Sequence, residues 1–184
     1  LYAFTDCEVS ISPNACVIVE NSRPQFLGVS DILNVNTANT KDLLRQELEI
    51  RKNGLLEKIL FSSLEKIFIE NRIYRDIEEV DESFEEVIQT VDKGLIPYKK
   101  QFYRAITRDD ILRLLEIKIK RISKFDSFKA DELMRVMEEE LKEVEHNLAN
   151  LIDFIIEYVT RIREKYGKEQ ARKPEISAFE NIAT

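Results

Sequence analysis

Tryptophan is absent from this 184-residue chain; histidine occurs once, cysteine twice, and glycine and proline four times each. Each scarcity removes a class of function. Two cysteines, Cys7 and Cys16, cannot frame a disulfide-stapled secreted domain, so a reducing, cytoplasmic setting is expected. The isolated glycines leave no Gly-x-x-x-x-Gly-Lys run to cradle a phosphate. His146 stands far from both cysteines, so a zinc site would need scattered carboxylates, and no metal is expected. No apolar run approaches the ~20 residues that span a bilayer, and the first residues lack a signal-peptide pattern. Positive charge is in deficit too. Lys+Arg number 28 against 35 Asp+Glu, a net −7, which argues against nucleic-acid binding by the chain as a whole. No nucleophile is matched with a base.

What the chain does contain is apolar and charged residues in quantity, at 43% and 34%. That is too apolar for disorder, and the charge fits long solvated helices. Residues 1–27 read as β-structure. Cys7, Val9 and Ile11 alternate with polar residues, Ser12-Pro13-Asn14 turns, Cys16–Val19 is a short apolar run, and Asn21-Ser22-Arg23-Pro24 turns again. So small a sheet is marginal alone. With Leu1 rather than Met in first place, the chain is expected to be a piece of a longer protein.

From about Asp31 the pattern becomes helical. Leu44, Leu48, Leu55, Ile59, Ile67 and Phe68 keep a helical period over 40–71, a helix of ~30 residues and about 45 Å. Asn53-Gly54 predicts a kink, because a glycine inside a helix costs ~1 kcal/mol relative to alanine. Phe84, Val87, Ile88 and Val91 mark another helix, with Gly94 placed to stop it; Pro97 suits the first turn of the next. Thr107 is an N-cap candidate, with Asp109 and Asp110 in the positive first turn that follows. The longest pattern is Leu133, Met137, Leu141, Val144, Leu148, Leu151, Ile155, Tyr158, Ile162, Tyr166, alternating threes and fours as a coiled-coil seam does. His146 falls between Val144 and Leu148 and is expected to face solvent. The expected fold is mainly α: a long antiparallel two-helix coiled coil carrying a small globular helical head, with a short β segment at the N-terminus.

Two basic runs bear on function. Tyr98-Lys99-Lys100-Gln101-Phe102-Tyr103-Arg104 interleaves aromatics and cations as a single-strand binding surface does, but also reads as an amphipathic helix burying Tyr98 and Phe102. Lys118, Lys120, Arg121 and Lys124 form a second cluster among Ile111, Leu112, Leu114, Leu115, Ile117, Ile119 and Ile122. Leu115, Ile117 and Ile119 alternate as in a strand; Ile111, Leu115, Ile119 and Ile122 fit one helix starting at Thr107, the favoured reading. A helix so broadly apolar needs more than one partner, and a surplus face at Leu114 and Ile117 is expected to meet a two-fold copy.

The segments Thr5–Asn14 (TDCEVSISPN), Phe61–Asp76 (FSSLEKIFIENRIYRD), Asp110–Ser123 (DILRLLEIKIKRIS) and Lys165-Tyr166-Gly167 with Glu175-Ile176 resemble the A subunit of bacterial type IIA DNA topoisomerases, topoisomerase IV more than gyrase. The resemblance implies that 1–39 is the end of a tower domain, 40–71 and 129–166 two coiled-coil arms, 72–128 a C-gate head and 167–184 a return segment. It implies a homodimer contact through Ile111, Leu114, Leu115, Ile117, Lys118 and Arg121. It further implies an A2B2 parent whose B subunit brings ATP and Mg2+, while DNA is reached through the parent, with weak or no binding by this piece. The family's catalytic tyrosine follows an arginine. None of Tyr2, Tyr74, Tyr98, Tyr103, Tyr158 and Tyr166 does, so no catalytic residue is expected here. A free-standing coiled-coil interaction protein is the competing expectation.

Overall fold

A computed structural model describes residues 11–19, 23–77, 83–168, 170–171 and 173–174. The expected strand through Cys7 and Val9 lies outside the described residues. Two compact units divide inside one helix, the first up to Glu47 and the second from Leu48.

In the first unit, β1 (Cys16–Val19) pairs antiparallel with β2 (Arg23–Phe26), Cys16 opposite Phe26 and Ile18 opposite Pro24. Arg23-Pro24 therefore belongs to a strand and not to the expected turn. Proline is tolerated there because a two-stranded ribbon has only edge strands, so its missing N–H breaks no central ladder. Ile18 and Phe26 stay exposed.

Helix α1 runs from Val29 to Glu70 without interruption, so Asn53-Gly54 lies inside continuous helix and no break occurs there. A Cβ on Gly54 would meet nothing within 4 Å. Leu48 and Leu55, buried on either side, hold the backbone helical against the intrinsic preference of glycine. The helix ends where Arg72 takes a left-handed conformation, φ 55°. Asn71 steadies that turn, donating from its side chain to the Ile67 carbonyl (3.0 Å) and accepting from the Tyr98 hydroxyl (2.9 Å).

The head follows as α2 (Ile73–Asp76), α3 (Phe84–Leu95), a 3-10 segment (Ile96–Gln101), α4 (Arg108–Leu115) and α5 (Ile119–Ser123). Its core is shared with the end of α1: Leu60, Leu64, Phe68 and Ile69 pack with Ile73, Ile88, Val91, Leu95, Ile111 and Leu114. Leu64, Leu95, Leu114 and Val91 have no exposed surface. Gly94 lies inside α3 and does not stop it; a Cβ there would stand 3.0 Å from Ile73 Cγ2, so the position is set by close packing of α3 on α2.

Helix α6 (Ser127–Ala149), capped by Asp126 accepting from the Phe128 and Lys129 amides, returns antiparallel to α1. Each step forward on α1 meets a step back on α6: Ser63 bonds Met134, Lys66 pairs with Asp131, and Glu70 accepts from Ser127. Further along, Lys52 pairs with Glu145 at 2.9 Å and Arg51 donates to Glu140. Between these ion pairs Leu48, Leu55, Met137, Val144 and Leu151 form a second core, with Ile59, Met134, Leu141, Leu148 and Ile155 partly buried against it.

The expected single helix over 129–166 is two. Asn150 breaks it (φ −113°, ψ 47°), its own side chain donating to the His146 carbonyl at 3.0 Å, and α7 (Leu151–Tyr166) restarts at once. Asparagine bonds its local backbone readily, which is why it interrupts helices. His146 is exposed, as the pattern implied. Leu133 is not a seam residue. It is 57% exposed, and Met134 faces α1 in its place, giving the series 134, 137, 141, 144, 148, 151, 155. Ile162 is also exposed, at 42%. Leu44 is buried.

Candidate functional site

Arg104 ties the head to the arm. Arg104 donates twice to Glu57 on α1 (Nε to Oε1 2.8 Å, Nη2 to Oε2 2.7 Å) and twice to Asp110 on α4 (2.7 and 3.1 Å). Its planar fork suits two carboxylates at once, which a lysine cannot imitate. Tyr103 adds a hydroxyl bond to Glu57. Asp110 also closes a reciprocal capping box with Thr107, accepting from the Thr107 amide at 2.8 Å while its own amide donates to Thr107 Oγ1. The Arg104 guanidinium holds the Asp110 carboxyl at about 2, helped by the Thr107 bonds. Arg104, then Tyr103, likewise hold Glu57 at about 2. The two carboxylates in turn push the Arg104 pKa up.

This network disposes of the single-strand binding reading of 98–104. Tyr98 bonds Asn71, Lys99 pairs with Asp92 at 2.8 Å, and Tyr103 and Arg104 are committed to Glu57 and Asp110. The run is internal glue. Its long-range partner Glu57 had no signal in the sequence, because nothing in the pattern links positions 47 residues apart.

The six residues expected at a dimer contact separate. Ile111 and Leu114 are buried in the head's own core, so Leu114 offers no surplus face. Leu115 and Ile117 are partly buried against that core and keep an outer edge. Lys118 and Arg121 are exposed. The expected helix through 108–122 breaks between α4 and α5, with Ile117 N–H returning to the Leu114 carbonyl (3.1 Å) and Lys118 extended. The physical reason lies in the run itself. A straight helix would spread Ile111, Leu112, Leu114, Leu115, Ile117 and Ile122, all packed on this core, over more than half of its circumference, and the break at 116–118 relieves that spread.

Arg121 reaches back to α1, where Glu65 is only 6% exposed. Nη2 donates to Oε2 at 2.7 Å, and Nε lies 2.5 Å from Oε1 as an ion pair without hydrogen-bond geometry. Arg113 sits over the Phe61 ring, 4.3 Å from its centroid. A groove of about 500 Å³ opens beside the Arg121–Glu65 pair, lined also by Ser62, Phe125 and Leu133, by Lys120, Lys124 and Lys129, and by Asp126. Among the described residues no group of three His, Cys, Asp or Glu side chains gathers to hold a metal, and no helix is long and apolar enough to cross a membrane.

The described residues thus form an antiparallel helix pair closed at one end by a small helical head. The family model for the A subunit of DNA gyrase/topoisomerase IV matches residues 1–160, and the chain belongs to that family. It is 32% identical over 181 residues to the A subunit of DNA topoisomerase 4 from Borreliella burgdorferi, covering 98% of this chain and 29% of that protein. The chain thus spans under a third of the length of that curated relative. No solved structure gives a significant match.

Proposed function

We propose that this chain is the exit-gate portion of a type IIA topoisomerase A subunit, of the topoisomerase IV kind, working within an A2B2 parent that breaks, passes and rejoins duplex DNA. The observation that carries the reading is the return of the chain on itself. Glu70 accepts from Ser127, so the described helices between them form a head, packed on the end of α1, at the closed end of two arms. Such a head holds a gate shut by pairing with its copy across a two-fold axis and releases by separating as a unit. In this reading ATP and Mg2+ chemistry belongs to the B subunit, and the arms act as spacers around the departing duplex. The chain performs no cleavage itself.

Leu115 and Ile117 supply the apolar part of the contact, since their outer edges remain open beside the α4–α5 break. Because these side chains are already partly buried, covering their outer edges is worth less than the roughly 6–12 kcal/mol of four fully buried aliphatics, against about 4–15 kcal/mol lost on association. The contact is then closed but reversible. Analytical ultracentrifugation of the wild type and of a Leu115→Glu/Ile117→Glu variant tests this, with circular dichroism reporting whether the variant folds. A wild-type dimer and a folded monomeric variant are expected. A wild type that stays monomeric at high micromolar concentration rejects the gate; a variant that stays dimeric rejects these contact residues.

A further inference from the structure

We propose that Lys120, Lys124 and Lys129, rimming the groove between α1, α5 and α6, form a contact for the phosphates of duplex DNA. The groove, of about 500 Å³, is also lined by the acidic Glu65 and Asp126, which leaves its four cations, Arg121 included, in excess. All three lysines are exposed. Lys120 and Lys124 have no ion-pair partner among the described residues, and Lys129 lies 3.7 Å from Asp126 with its side chain 81% exposed, a pairing of little strength. Other described lysines, Lys58, Lys93 and Lys118 among them, also lack an ion pair; what sets these three apart is that all of them line one groove.

The side chains decide what kind of anion fits. Arg121, which could recognise one group bidentately, is held by Glu65 and cannot do so. The remaining cations of the rim are lysines, point charges on flexible stems that neutralise phosphates without reading bases. Phe125 and Leu133 wall the groove but present no hydrogen-bonding groups to a base edge. A second copy of this same face is a poor occupant, because a two-fold axis through it would set lysine against lysine. A polyanion whose charges repeat along a rod is the complementary partner. Acidic surface dominates α6 beyond this point, with Glu138, Glu139, Glu140, Glu143 and Glu145. Contact is therefore confined to the neck, where the head meets the arms, and a duplex is held weakly and in one place before it leaves.

The identity of the anion as DNA rests on the exit-gate reading; the existence of a polyanion site does not. Fluorescence anisotropy of a labelled duplex with the 184-residue chain tests both parts. Three neutralised phosphates predict that tripling the salt weakens binding about twentyfold. The Lys120→Glu/Lys124→Glu/Lys129→Glu variant is expected to lose at least tenfold in affinity at low salt, with unchanged circular dichroism and unchanged sedimentation. A Lys41→Glu/Arg45→Glu control, altered elsewhere on α1, is expected to bind like the wild type. Three outcomes overturn the proposal: no duplex binding by the wild type at low salt, equal loss in the control variant, or a polyglutamate competitor of matched charge that displaces the duplex as well as unlabelled DNA does. The last identifies an acidic protein as the partner. A chain that is monomeric yet binds duplex through these lysines refutes the gate and leaves the neck contact standing.

Discussion

Asp110 is where one side chain carries most consequence, and Asp110→Ala is the perturbation whose cost is best worked out. The carboxylate is almost wholly buried, at 3% exposure, and accepts from Arg104 and from the Thr107 amide together. Its ordinary pKa of 3.8 falls to about 2 in the fold. A depressed carboxyl stabilises the folded state above its unfolded pKa, and that stabilisation drains away as pH falls through the folded value. The shift converts to about 2 kcal/mol, present at pH 5 and above and lost between about pH 4 and pH 2. Loss of the capping box adds roughly 1 kcal/mol. Glu57 shifts further, but its side chain is 46% exposed, so solvent screening leaves it under about 1 kcal/mol. Asp110→Ala should therefore destabilise the chain at pH 7 by about 3 kcal/mol, a fall in Tm of roughly 6–12 °C for a chain of this size. Urea denaturation followed by circular dichroism, at fixed protein concentration and at pH 7 and pH 3, measures both parts. The gap between wild type and variant should narrow at pH 3, because acid removes from the wild type what the substitution has already removed. Asp109→Ala next door, exposed and without an ion-pair partner among the described residues, should change stability by less than about 0.5 kcal/mol. A cost below about 0.5 kcal/mol for Asp110→Ala, or an undiminished gap at pH 3, refutes the idea that Arg104 and Asp110 lock the head to the arm.

Gly54→Ala should stabilise the chain by about 0.5–1 kcal/mol, since the helix is continuous and the new methyl meets open space; a higher midpoint in urea checks it. Gly94→Ala should act the other way, costing about 1–3 kcal/mol, because its methyl would press on Ile73 Cγ2 at 3.0 Å; an unchanged thermal midpoint would show that α2 yields without strain. Arg121→Ala should cost more than Glu65→Gln, roughly 2 kcal/mol against 1, because it strands a buried carboxylate while the amide removes the charge that needed a partner; denaturation of the two variants side by side decides the order.

The three-four spacing of apolar residues after residue 130 announced helix packed on an antiparallel partner, because an amphipathic stripe has few ways to be buried, but not the break at Asn150. Thr107 with Asp110 three residues on announced the start of α4, since a capping box is a local arrangement. Local chemistry was legible wherever the partners lie within one turn of each other. It failed where two neighbouring residues compete for one seam position: Leu133 and Met134 are both apolar, and only packing against Ser63 chose Met134. It failed at Gly54, where a propensity of ~1 kcal/mol was outweighed by the packing of Leu48 and Leu55.

By itself the sequence determined the class of this molecule: long paired helices, a small apolar head and a short β ribbon. Only the tertiary structure decided which apolar residues of the 111–122 run are interior and which keep an open edge. That choice depends on a break at 116–118, which in turn depends on the shape of a core built jointly with α1. It also decided the use of each cation. Arg104 finds Glu57, and Arg121 finds Glu65, across 47 and 56 positions of chain, whereas Lys120 and Lys124 find no ion-pair partner among the described residues. A charge has the same appearance in a sequence whether or not it will be neutralised, because its partner is fixed by where the backbone passes in space.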